Sequence, residues 1–295
     1  MRVLAEDFEL VALANGVVSL RSVVYGQTFH PVVGPVAEAE AVHLAGTRAL
    51  ARANAFAGEA GFTIWDVGLG AAANATALIS HLLAGYTGNG NIHLLSFDRD
   101  LSAIDFALAQ AAELGYPAAH RELLQTLRRE GSAVAWLAGS NRQVEWSVCV
   151  ADFPSRMAAL EPLPAPHAVF FDPYSPAVNR DMWTLELFVS LRARLRADVP
   201  CLLTTYTRST AVRVTLLLAG FYVGIGHATG EKDQTTIAAN DPSLLERPLG
   251  VAWLEKKVYA STNAAPLRAQ ASLQAQTPIS ESDYAMLQAH PQFRT

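Results

Sequence analysis

Asp172 stands where an apolar run, Ala168-Val169-Phe170-Phe171, gives way to Pro173-Tyr174-Ser175-Pro176. The run has the composition of a buried strand. Each proline fixes its own φ and biases its predecessor away from the helical region, so the chain beyond Asp172 is expected to turn in an extended form. That presents Asp172 and Tyr174 at the carboxyl end of a strand, the edge at which open α/β sheets bind ligands. A carboxylate there, with backbone carbonyls such as that of Pro173, can accept the N–H groups of an amine while the ring shapes its pocket.

Three earlier strand ends carry carboxylates too. Ile64-Trp65-Asp66-Val67-Gly68-Leu69-Gly70 precedes a helix; its glycines let the backbone turn tightly and come close to a ligand, beside unpaired helix N–H groups. Gly68-x-Gly70-x-x-Ala73 also fits the dinucleotide fingerprint. Two details favour S-adenosylmethionine. Asp66, two residues before the first glycine, suits a cationic sulfonium and ammonium but is awkward beside a pyrophosphate, and the third glycine is missing. The loop also follows a long stretch of other structure, whereas dinucleotide sites usually sit on the first strand. Ser96-Phe97-Asp98-Arg99 ends the next strand, and Asp98 can take both ribose hydroxyls in a bidentate contact, for either cofactor. Val150-Ala151-Asp152-Phe153 ends a third: Asp152 is expected at the adenine amino group, with Phe153 packed on the ring.

These residues need a sheet to hold them. A chain of 295 residues, 51% apolar, can bury a full core. Phe8–Ala14 and Val17–Val24 alternate around Asn15-Gly16, a hairpin signal. A helix is expected over 36–56, then strand 62–67, helix 74–83, strand 92–97, helix 102–114 and helix 121–129. Strands 134–137 and 144–150 flank the turn-prone Gly139-Ser140-Asn141. Strand 168–171, helix 182–195, strand 201–206 and helix 210–218 follow, with 221–225 and 235–239 as closing antiparallel strands. The rhythm implies an α/β fold, a mainly parallel sheet with helices on both faces. Residues 1–58 read as a hairpin-and-helix extension, 59–260 as the catalytic domain, and 261–295 as a linker or strap with a short helix from Asp283 capped by Ser282.

Net charge is −5, which argues against bulk nucleic-acid electrostatics but not against one structured RNA gripped locally. Arg192, Arg194 and Arg196 end a helix and read first as complements to its carboxyl end. No signal peptide or membrane span is expected, and lone Cys149 and Cys201 read as reduced core residues, so a cytoplasmic location is expected. No metal is expected.

Taken together, the sequence resembles the MnmC-type methyltransferases, particularly the stand-alone form without the fused flavin oxidase domain. The likeness runs through most of residues 18–240. It rests on Tyr25-Gly26-Gln27-Thr28-Phe29-His30 with Gly34 and Glu38, the glycine loop through Asn74, and Asp98. Asp172-Pro173-Tyr174-Ser175-Pro176 with Asn179, Asp181, Met182, Trp183 and Thr184 is its most unusual part. Thr205-Tyr206, Val212-Arg213, Ala219-Gly220-Phe221 and Gly230 with Lys232 complete it. The resemblance implies a Rossmann-like class I methyltransferase. It implies S-adenosyl-L-methionine held by Phe29, His30, Asp66, Gly68, Gly70, Asn74, Asp98, Asp152 and Phe153. It implies Asp172 and Tyr174 in catalysis, Pro173 and Lys232 on the substrate, and methylation of the 5-aminomethyl group of a modified tRNA wobble uridine made by a separate enzyme.

The family usually has Thr and Gly at Ala71 and Ala72, where the methyl groups are expected to crowd the cofactor, and proline at Arg180. Asp233 stands where a basic residue is common. In the chemistry, an in-line displacement, Asp172 would fix the amine and steady its developing charge, the proton leaving to water or transiently to Asp172. A valine at Gly68 is expected to intrude on the methionine moiety. The competing readings are a small-molecule amine methyltransferase, an NAD-dependent oxidoreductase and a non-catalytic RNA-binding protein.

Overall fold

The computed structural model describes residues 7–58, 60–137, 141–159, 161–230, 233–269 and 277–294. Eight strands form the main sheet: β4 (Phe62–Val67), β5 (Ile92–Asp98), β6 (Ser132–Trp136), β7 (Gln143–Val150), β8 (Ala168–Phe171), β9 (Leu202–Thr205), β10 (Tyr222–Gly226) and β11 (Thr235–Ala239). A separate small sheet comprises β1 (Phe8–Ala12), β2 (Val18–Ser22) and β3 (Gln27–Thr28). The main order is β10-β11-β9-β8-β4-β5-β7-β6. β4 pairs in parallel with both β5 and β8, so the chain reverses its direction of winding at β4. That switch point opens a crevice at the strands' carboxyl ends. β11 runs antiparallel between β9 and β10, and β6 antiparallel against β7.

Period-two alternation explains the two-sided core. Trp65, Val67, Val169 and Phe171 face one buried cluster, while Ile64, Ala168 and Phe170 face the other. Strands covered on both faces read as continuous apolar runs, and all six residues of β4 are buried.

The helix expected over 36–56 is broken. Pro35–Glu38 is α-helical, Ala39–Leu44 is a π-helical turn, and Arg48 adopts a left-handed φ of 53° before Ala49–Ala55 resumes. The wider turn carries His43 inward, a placement that π-turns often serve.

Ser280, not Ser282, caps the last helix, Glu281–Gln288, by accepting from the Asp283 N–H. Ala264, Leu287 and Phe293 join the main core cluster, and the Leu267 N–H donates to Thr215 Oγ1 at 2.9 Å, so the described part of 261–294 straps the core rather than hanging from it. A helical segment at Val251–Tyr259 was not expected. Gly139 and Ser140 lie outside the described residues. Among the described residues no helix is long and apolar enough to cross a membrane.

Candidate active site

A cleft of about 460 Å³ opens where β4, β5 and β8 end, within the usual range for small-ligand sites. The small sheet roofs it: Leu20 and Phe29 pack with Ala71 and Tyr116 over the glycine loop. The Gln27 side chain accepts from the Ser175 N–H at 3.1 Å and donates to Ser175 Oγ, tying the extension to the Asp-Pro-Tyr-Ser turn.

Asp172 lies at the centre. Its Oδ2 accepts from Asn74 Nδ2 at 2.8 Å and lies 3.8 Å from both His30 Nε2 and His43 Nε2. Burial by itself pushes the carboxyl up, but the two imidazoles and the Asn74 amide outweigh it and hold its pKa below the ordinary carboxylate value. Asp172 is therefore an anion at neutral pH, fixed in direction before any substrate arrives. Tyr174 packs 4.5 Å from the half-exposed Tyr25 and edge-on to Phe29, and burial raises its hydroxyl pKa, so it stays neutral. The Pro173 carbonyl accepts from Tyr206 at 3.1 Å, and the Tyr174 carbonyl from the Trp183 indole at 2.8 Å.

Gly68, Gly70, Asn74, Asp98, Phe153, Phe29 and His30 all border the cleft. Asp98 Oδ2 accepts from the Gly70 N–H at 2.8 Å and Oδ1 from the Arg99 N–H at 2.7 Å, while burial pushes its pKa up to about 6. Two of the expected residues are engaged by other groups of the chain. Asp66 is fully buried beneath the loop rather than on the cleft wall; its Oδ2 accepts from Ser96 Oγ at 2.9 Å, and Oδ1 has no hydrogen-bond partner among the described residues. Asp152 also lies off the wall. It caps the helix Phe153–Ala158 by accepting from the Ser155 N–H, and its Oδ1 accepts from the Arg99 guanidinium at 2.6 Å. Lys232 lies outside the described residues.

Sequence reasoning left unassigned four residues that shape the site. His43, Glu38, Gln27 and Tyr206 reach it from elements remote in sequence. Gln27 and Glu38 carried a signal as parts of the Tyr25–Glu38 motif and Tyr206 as part of Thr205-Tyr206, whereas His43 carried none.

The glycine positions are partly reassigned. A Cβ on Gly68, whose φ is +91°, would lie 2.7 Å from the Asp172 carbonyl oxygen, so it meets the Asp172-Pro173 turn. Ala72 has a left-handed φ of 64° and does not border the cleft. Its methyl group costs backbone energy instead of crowding a ligand. Ala72→Gly is accordingly expected to stabilise the fold by about 1 kcal/mol, less the buried methyl it removes, as read by chemical denaturation.

The residues present fit S-adenosylmethionine. Asn74 Oδ1 is buried on the cleft wall with no partner among the described residues, an acceptor suited to an ammonium. Asp98 and Asp172 on the wall, with Asp66 beneath, suit a cationic ligand. Asp66 also predicts a pH effect. Burial pushes its pKa up to about 7, further aided by Asp172 and Asp98 and opposed by Ser96. The folded chain then binds protons more tightly than the unfolded one. Stability is fullest below about pH 4 for this group and falls as pH rises to about 7. Asp66→Asn should flatten that fall, by about 2.5 kcal/mol at most between pH 5 and 7.5, as read by urea titrations at the two pH values.

Comparisons with known proteins agree with this geometry. Residues 118–241 match a family described as S-adenosyl-L-methionine-dependent methyltransferase. The tRNA 5-methylaminomethyl-2-thiouridine biosynthesis bifunctional protein MnmC of Caulobacter sp. (strain K31) is 28% identical over 275 residues, 85% of this chain and 42% of that protein. The protein of the same name from Nitrosospira multiformis is 34% identical over 137 residues, 44% of this chain and 20% of that protein. The chain thus spans less than half the length of these relatives. MnmC2 from Aquifex aeolicus shares the fold, with a TM-score of 0.68 at 23% identity over 96% of this chain and 83% of that one. The molecule has the Rossmann-like fold of class I methyltransferases, and residues 118–241 carry its similarity to S-adenosyl-L-methionine-dependent methyltransferases. Its sequence is similar to those of the MnmC proteins. An NAD-dependent reading is set aside.

Proposed function

We propose that the chain methylates the amine of 5-aminomethyl-2-thiouridine at the wobble position of tRNA, in the cytoplasm, on a nucleoside whose aminomethyl group another enzyme has made. The observation that carries this reading is Asp172, an oriented carboxylate on the wall of the cofactor cleft beside Tyr174. The relatives' name supplies the substrate class. S-adenosylmethionine bound in the cleft supplies an electrophilic methyl group.

Asp172 accepts the amine's N–H groups and aims its lone pair, and its charge offsets the positive charge that grows on nitrogen. The Pro173 carbonyl is a second acceptor. Asn74, by bonding Oδ2, keeps the carboxylate from swinging. Tyr174 and the exposed Tyr25 above it supply aromatic surface for an unstacked base at the mouth.

Incubation with labelled S-adenosylmethionine and tRNA carrying 5-aminomethyl-2-thiouridine, followed by digestion, tests the assignment. Label is expected in the 5-methylaminomethyl nucleoside, and not in tRNA lacking the aminomethyl group.

A small-molecule amine is the second reading. It is favoured by the net charge of −5 and by Arg208, whose guanidinium is taken by Asp233 at 3.2 Å. Arg192 and Arg194 likewise donate to the carbonyls of Gly220 and Met157 rather than forming a basic patch. Strongly salt-dependent tRNA binding would decide against it.

A further inference from the structure

His30 stands between two buried carboxylates. Its Nε2 is 3.8 Å from Asp172 Oδ2 and its Nδ1 4.0 Å from Glu38 Oε2. Its backbone is held in the left-handed region, φ 47°, which is costly for a residue with a Cβ. It borders the cleft, whereas His43 does not; His43 is buried, its Nδ1 bonded to Thr204 Oγ1 at 2.9 Å.

The chemistry leaves a proton to be placed. A primary amine enters largely as the ammonium and must lose one proton before its lone pair is free. Asp172 is a poor resting acceptor because its surroundings hold it ionised. We propose that His30 is the base that takes this proton, and that Glu38 is a positioning residue that orients the imidazole and stabilises its cation. This rests on the amine-methyltransferase reading above. In the step, one N–H bond of R–NH₃⁺ breaks and its proton bonds to His30 Nε2. The freed nitrogen pair then forms the N–CH₃ bond, while the C–S pair leaves with sulfur. The product departs as the secondary ammonium, and His30 returns its proton to water at the cleft mouth, so one proton is released per turnover.

The charged and titratable groups around His30 are Glu38 on Pro35–Glu38 and Asp172 after β8, with His43 and Tyr206 beyond them. With His30 as base, single-turnover rates on aminomethyl-uridine tRNA should reach a plateau once the imidazole is neutral. His30→Gln should lower the neutral-pH rate by roughly a hundred- to ten-thousandfold. It should also replace the plateau by a rise of about tenfold per pH unit, following the amine's own ionisation. A second measurement needs no substrate. By NMR, the His30 ring-nitrogen signals in Glu38→Gln should move away from those of the parent chain, because Nδ1 faces Glu38 Oε2 at 4.0 Å. If the parent fails to methylate the tRNA, the proposed function falls, while the NMR comparison still decides the coupling. Unmoved His30 ring signals in Glu38→Gln, or a plateau retained in His30→Gln, overturn the inference, including where that variant merely melts earlier.

Discussion

Asp172→Asn should slow single-turnover methyl transfer by roughly a hundred- to a thousandfold, about 2.7–4 kcal/mol of transition-state stabilisation. The amide keeps the shape but loses the charge and turns one acceptor into a donor facing either Asn74 or the amine. Affinity for S-adenosylhomocysteine should change little, because the cofactor-facing groups stand at the ends of β4 and β5. Some stability should also go, since the ionised carboxylate faces His30 and His43. The diagnostic quantity is therefore rate per folded molecule, with a thermal melt alongside. A purely structural Asp172 gives a lower melting temperature with a normal rate, and wild-type rates would remove it from the mechanism.

Gly68→Ala should damage both halves of the site at once. The backbone at φ +91° is one that L-residues rarely adopt, and the new Cβ falls 2.7 Å from the Asp172 carbonyl oxygen and 3.1 Å from the Pro173 nitrogen. Neither atom belongs to a flexible side chain, so the loop or the turn must move. Backbone strain and overpacking together are worth roughly 2–6 kcal/mol. We expect S-adenosylhomocysteine binding and methyl transfer to fall together, as measured by calorimetry and single-turnover kinetics. Normal cofactor binding with slowed transfer would mean that the Asp172-Pro173 turn gives way and the loop stays in place; normal values of both would contradict the clash.

The strands were legible because burial on both faces writes itself as apolar runs: Phe62–Val67 and Ala168–Phe171 begin and end where their residues change type. The carboxylates Asp98 and Asp172 were legible for the same reason, as polar residues terminating such runs. What each carboxylate does was not. Asp66 and Asp98 stand near the ends of neighbouring strands, yet Asp66 is in register with Ser96, two residues before Asp98, and so lies deeper, bonded to Ser96. Asp152 had a readable signal that was passed over: an acidic residue before Phe153-Pro154-Ser155 is an N-cap with proline in the first turn. Ser280 was likewise marked by Asp283 three residues on. The meeting of His30, Glu38 and His43 around Asp172 depends on a π-turn and on long-range packing, and no local pattern announces it.

A crystal structure with S-adenosylhomocysteine tests the central claim most directly. The account predicts the ligand in the cleft at the ends of β4, β5 and β8, its ribose hydroxyls on Asp98 and its sulfur turned toward the Asp172 carboxylate. A ligand whose ribose leaves Asp98 untouched, or whose sulfur faces away from Asp172, would contradict it.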